Sequence, residues 1–212
     1  MIRIKDFKWK VVSKRIMIFN RDEYEYEEMG NFEIESKFID GIRFKDCKFK
    51  NCSISESLIH NCLFKDCKFV NCNIAGNKFE LTVFKDCEFK KCNLIGINWK
   101  DITVERGYSN PFSKLEECYL KYCSFIKMDI KKFNFEGNII HDSMFDESCL
   151  KDCKFRGCDL TQTRFNICDI RNADFREAKE YLVDITNCKI KGAKFSFPDV
   201  MNLLNFLDIK IY

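Results

Sequence analysis

The sequence is poor in the residues that build most active sites. It has two histidines, His60 and His141, in 212 residues. It has no glycine-rich phosphate loop, and none of its 14 cysteines forms a Cys-x-x-Cys pair. Converging polar groups in a cleft are what catalysis requires, and nothing here supplies them, so an enzyme is not expected and no cofactor is implied. No apolar run approaches the ~18 residues of a membrane span. Met1-Ile2-Arg3-Ile4-Lys5 leads into no signal-type apolar stretch, which makes a cytoplasmic location the default. Only two prolines occur, Pro111 and Pro198, and each falls where a regular pattern ends. The formal net charge of +3 is ordinary for a globular chain and no face is clearly acidic; residues 1–21 are basic, where a nucleic-acid arm and a cap are both open readings and the interleaved apolar residues favour the cap.

What the chain has instead is a count. Phe44-Lys45-Asp46-Cys47-Lys48-Phe49-Lys50-Asn51-Cys52 returns twenty residues later from Phe64 to Cys72, and again from Phe84 to Cys92. A fixed period of this length marks a stacked repeat. Within it lies a period of five. From Phe19 to Val104 every fifth residue is large and apolar; from Leu115 to Phe195 the same holds in a shifted phase, with Glu180 as the one exception.

Neither common element buries such a pattern. Every fifth residue drifts around an α-helix, and an odd step alternates the faces of a strand. A chain that bends by a quarter turn every five residues does bury it. Four bends make one coil of twenty residues, the large residue of each five points to the axis, and coils stack through backbone hydrogen bonds about 4.8 Å apart. The expected core then includes Phe44, Phe49, Phe64, Phe69, Phe84, Phe89, Phe135, Phe155 and Phe175. Eight coils would make a rod roughly 40 Å tall.

Thirteen of the cysteines occupy one place, two residues before the large one, shared with Ser57, Thr82, Ala173, Ala178 and Ala193. Small residues fit a second inward position beside a Phe. Stacked thiols would run parallel rather than toward each other, so packing is the expected role, not disulfides or metal. Cys149 falls in an outward place, where an exposed reactive thiol and a half-buried inert one are both open readings.

The ends and one interruption stand apart. Residues 1–29 read as an N-terminal cap of one or two short strands followed by the start of the first coil. The acidic run Asp22 to Glu28 keeps the five-residue phase at Tyr24 and Met29. Residues 30–104 and 115–195 read as coils. Between them, 105–114 breaks the phase, because Val104 to Leu115 is eleven residues. Either one residue bulges from a coil, or the segment projects as a loop; Gly107-Tyr108-Ser109-Asn110-Pro111 is turn chemistry and favours the loop. At Glu180, Tyr181 or Leu182 should turn inward instead, with the phase restored by Ile185. Residues 196–212 read as a helix starting at Ser196-Phe197-Pro198-Asp199, with Val200, Leu203, Leu204 and Leu207 on one face, and then a short apolar strand. A strand that short is best satisfied by a second chain. The expected dimer interface is Leu203, Leu204, Leu207, Ile209 and Ile211.

Ala173-Asp174-Phe175-Arg176-Glu177, Cys92-Asn93-Leu94-Ile95-Gly96 and Cys158-Asp159-Leu160-Thr161-Gln162 resemble the pentapeptide repeat, small-Asp/Asn-Leu/Phe-x-x. The resemblance implies an all-β fold, a right-handed quadrilateral β-helix, here with a C-terminal capping helix and a short terminal strand. The full layout, with one central interruption and an apolar end, is similar to the Qnr-type quinolone-resistance proteins. That family implies a dimeric rod binding DNA gyrase or topoisomerase IV and protecting it from quinolones, by partial DNA mimicry or through a projecting loop. The matching loop positions are Arg106, Tyr108, Asn110, Pro111 and Phe112. A mimic of DNA should carry rows of carboxylates, and this chain is slightly basic, which favours contact through the loop. Direct nucleic-acid binding and membrane contact are not expected. The same repeat would serve equally as an interaction scaffold with no topoisomerase role.

Overall fold

The computed structural model describes residues 19–102, 110–207 and 209–210. The N-terminal cap expected over residues 1–18 lies outside the described residues. From Phe19 on, the chain is a solenoid of about eight coils built from short parallel strands. Successive strands turn onto four faces. Face 1 stacks Glu23–Glu25, Arg43–Lys45, Leu63–Lys65 and Val83–Lys85. Face 2 runs from Glu28–Gly30 to Phe112–Glu116, and face 3 from Glu33–Glu35 to Ile139–His141. Face 4 begins with Phe38–Asp40, Leu58–His60 and Lys78–Glu80. Register is set by the count of twenty, as in Phe44 opposite Phe64 and Phe49 opposite Phe69. Later coils are joined mostly by single parallel bridges with the same spacing, such as Lys154 to Asp174.

The interior is solid. Tyr24, Phe44, Phe64 and Phe84 form one column of parallel rings, with centroids 4.5 to 5.3 Å apart. Phe125, Phe145 and Phe165 form another, at 4.3 and 4.9 Å. Adjacent columns meet edge-on, as between Phe145 and Phe155 at 5.6 Å and 86°. Offset stacks along the rod and edge contacts across it are the favoured aromatic geometries. All nine phenylalanines expected in the core are buried.

The small inward position has a chemical role beyond fitting. Ser148 Oγ donates to the carbonyl of Phe125 at 2.6 Å, one coil earlier, and accepts from the Met128 N–H at 2.9 Å. Thr82 does the same with Ile59 and Cys62 at 2.8 and 3.2 Å. Cys67 donates its S–H to the carbonyls of Phe44 and Lys65 at 3.5 and 3.4 Å. The side chain thus satisfies backbone groups that the tight bend leaves over. All 14 cysteines are free thiols, and twelve of them are buried; Cys149 and Cys188 are half-buried. Burial pushes the Cys123 thiol up to about 11, and the Cys153 and Cys158 thiols up to about 12.

Nearly every corner places the residue two after the large one in the left-handed region, with φ between +49° and +77°. Asn, Asp and Gly tolerate this best. Four corners hold large apolar residues instead, Tyr26, Leu81, Tyr122 and Ile167, and all four are exposed.

The break at Glu180 is resolved differently from expectation. Tyr181 turns inward, but Ile185 does not restore the phase. Val183 stacks on Phe165, two residues early, and the turn Asp184 to Asn187 then adds the missing length. Regular spacing returns when Cys188 and Ile190 stack on Cys168 and Ile170.

Candidate interaction surfaces

Among the described residues side chains fill the axis of the solenoid, so the candidate sites are sought on its outer surfaces. Among the described residues no three His, Cys, Asp or Glu side chains converge as a metal site, and no helix is long and apolar enough to cross a membrane. The candidate surfaces are the interruption and the C-terminal end.

At the interruption one coil is 26 residues long instead of 20: Leu115 pairs with Phe89 and Leu120 with Leu94. The described chain stops at Ile102, whose carbonyl accepts from the Phe84 N–H at 3.0 Å, and resumes at Asn110; Arg106 and Tyr108 lie outside the described residues. The other three expected loop positions are part of the rod. Asn110 and Pro111 carbonyls accept from the N–H groups of Asp86 and Cys87 at 2.9 and 3.2 Å. Pro111 is buried and Phe112 is fully buried, with its ring 4.9 Å from Trp99 and 4.8 Å from Phe133. Pro111 and Phe112 are therefore not partner contacts but the seal beneath the insertion. The cause is a β-bulge: the register slips between Cys87 and Glu88, opposite Ser113, which moves Phe112 into the inward position above Cys87. Ser113 Oγ returns a hydrogen bond to the Asp86 carbonyl at 3.0 Å. Next to this joint, Glu116 accepts from both Lys90, before the insertion, and Lys114, after it. These contacts hold its carboxyl down at about 2.

The C-terminal helix is a 3-10 helix over Asp199–Phe206, not an α-helix, and Ser196 does not cap it. Ser196 Oγ instead accepts from the Glu177 N–H at 2.7 Å, and Asp199 Oδ1 accepts from the Glu180 N–H at 3.1 Å. Both side chains close donors that the last coil leaves unpaired. Of the expected dimer residues, Leu203 is buried against its own chain's core and is not free for a partner. Leu204, Leu207 and Ile209 lie on the surface and line a groove of about 470 Å³ with Met201, Asn202 and Asn205. Ile209 and Lys210 form no strand, and Ile211 lies outside the described residues. Around the groove, Met201, Phe206 and Ile209 are exposed.

Comparison with known proteins agrees with this geometry. A family model described as "pentapeptide repeat region" matches residues 42–108, and one described as "pentapeptide repeats (8 copies)" matches residues 148–179. No curated protein matches the sequence. Among solved structures, full-length QnrB1, a plasmid-mediated fluoroquinolone resistance protein, is 16% identical with a TM-score of 0.50, over 86% of this chain and 100% of that one. HetL, a pentapeptide repeat protein involved in heterocyst differentiation regulation in the cyanobacterium Nostoc, is 7% identical with a TM-score of 0.38, over 82% of this chain and 87% of that one. At such identities the likeness concerns the fold alone. A five-residue phase, four stacked faces and matching family models on both sides of the interruption lead to one conclusion: the chain is built of pentapeptide repeats.

Proposed function

We propose that the chain is a non-enzymatic binding protein that engages DNA gyrase or topoisomerase IV and protects it from quinolones. The observation that carries this reading is the layout. A rod with no interior site bears one insertion between its two runs of coils and one apolar end, and it corresponds to QnrB1 over the whole of that chain. The contact is assigned to residues 103–109, with Arg106 and Tyr108 as its reading residues, since Pro111 and Phe112 are occupied in the rod. The exposed Met201, Phe206 and Ile209 support an end-to-end symmetric dimer through the C-terminal groove. A cytoplasmic location follows from that partner. The test is a gyrase supercoiling assay in ciprofloxacin. Added protein should restore supercoiling, and replacing 103–109 by a short Gly-Ser link should remove the rescue while leaving the fold intact. Absence of rescue at every ratio leaves the chain a binding scaffold with another partner.

A further inference from the structure

Stacking converts charges scattered along the sequence into vertical stripes. In the coils after the insertion, the edge between faces 1 and 2 collects an excess of one sign. Lys131, Lys151, Arg171 and Lys191 form a single column, fixed by hydrogen bonds from the following residue of each coil to the carbonyl of the next, at 2.9 to 3.1 Å. Lys154 and Lys194 stand in the neighbouring column, two coils apart, and Lys132 sits on the corner between the two. Lys131 and Arg171 pair with Asp129 and Asp169. Lys132, Lys151, Lys154, Lys191 and Lys194 make no ion pair within 4 Å among the described residues. Asp174 is paired with Arg176 at 2.6 Å, whereas Asp152 accepts from the neutral amide of Asn172 at 3.0 Å and keeps its charge, one carboxylate against the five unpaired lysines. On the diagonally opposite edge of the same coils Lys121 and Arg164 are paired with Asp142 and Asp146, and Tyr122, Met144, Thr161 and Gln162 add no charge, so no such excess builds up.

We propose that this edge is a docking surface for the phosphate backbone of duplex DNA. Unpaired Lys151 and Lys191 in one column, with Lys132, Lys154 and Lys194 beside them and the paired Lys131 and Arg171 in line, form a strip of positive charge that complements a linear polyanion. Lysines bind phosphate as point charges, and their flexible stems absorb the mismatch between coil spacing and phosphate spacing. The edge carries no exposed aromatic ring on which an unpaired base could stack, so a duplex is favoured over a single strand. Nothing on it reads base edges, so binding is independent of sequence. This departs from the expectation drawn from a net charge of +3, which averages over all four faces.

Fluorescence anisotropy of the full chain with a labelled mixed-sequence duplex tests it, since five neutralised phosphates give a slope of log K against log salt of about −4.5. Lys151→Glu/Lys154→Glu/Lys191→Glu should weaken binding at least about tenfold near 50 mM salt and flatten the slope to about −2. Lys78→Glu/Lys121→Glu/Lys127→Glu changes net charge equally away from the edge and should cost far less. Thermal melts verify that both variants fold. No binding near 50 mM salt, equal losses in the two variants, or binding to phosphatidylserine vesicles in place of DNA would each overturn the proposal. No topoisomerase is present in this assay, so its outcome is independent of the gyrase test.

Discussion

Ser148→Ala should destabilise the solenoid although it removes a single oxygen from a side chain that touches no ligand. Ser148 Oγ serves two backbone groups of the preceding coil, the Phe125 carbonyl at 2.6 Å and the Met128 N–H at 2.9 Å. Both lie in a fully enclosed region, because Ser148, Phe125 and Met128 are buried. Leaving a buried polar group unpaired costs about 1–3 kcal/mol. Where Ala173 and Ala178 hold this place, the N–H groups of Cys153 and Cys158 turn to the carbonyls of Leu150 and Phe155, three residues back, at 3.1 Å; the same tightening would bring the Met128 N–H to the Phe125 carbonyl and recover part of both losses. The expected loss is therefore about 1–2 kcal/mol. Ser148→Cys, which keeps a donor in the place thirteen cysteines already occupy, should cost less than about 1 kcal/mol. Urea unfolding followed by circular dichroism reads this as a lower midpoint with an unchanged slope. A Ser148→Ala midpoint equal to that of the unchanged protein would refute the idea that this side chain completes the backbone hydrogen bonding of the bend.

Other outcomes follow from the same geometry. Ile167 is a β-branched residue at φ 56° and 57% exposed, so Ile167→Asn should raise the melting temperature by removing about 1 kcal/mol of strain. In the native protein Cys149 and Cys188 should react with a thiol reagent first, while the twelve buried thiols react only on unfolding; early loss of more than two thiols would contradict the burial. Arg176 holds the Asp174 carboxyl down at about 2. Its folded value lies below its unfolded one, so this contribution is present above about pH 4 and fades as pH falls toward 2. Screened by an exposed arginine, it amounts to about 1 kcal/mol. Asp174→Asn should cost that much near neutral pH and progressively less as pH falls through about 2, in melts across pH.

The core was legible from counting because each large side chain depends only on its place in the five. Other features depend on residues that are neighbours only after the coil closes. The smallness of the position held by Cys, Ser and Thr is visible in the sequence, but its hydrogen-bonding role is not, because the Phe125 carbonyl that receives Ser148 lies 23 residues away. The left-handed corner was readable in principle, since Asn31, Asp46, Asn51, Asp66 and Asn71 recur there. The phase break between Val104 and Leu115 is visible in the count, but where the coil resumes depends on the bulge at Ser113, which no phase count reveals and which draws Phe112 inside. Val183 likewise replaces Ile185 over Phe165 because one bend is shortened and the next lengthened. The basic edge appears only when residues twenty apart are set above one another.

Deleting 105–114 as a block would remove the buried Phe112 and unseat the coil, so the contact with topoisomerase has to be probed above that seal. The most direct measurement is supercoiling by gyrase in ciprofloxacin, titrated with the unchanged protein and with an Arg106→Ala/Tyr108→Ala variant of equal thermal stability. Rescue by the first and little or none by the second is the expected result. Equal rescue by both would contradict the role given to the insertion, and no rescue by either would contradict the protective function itself.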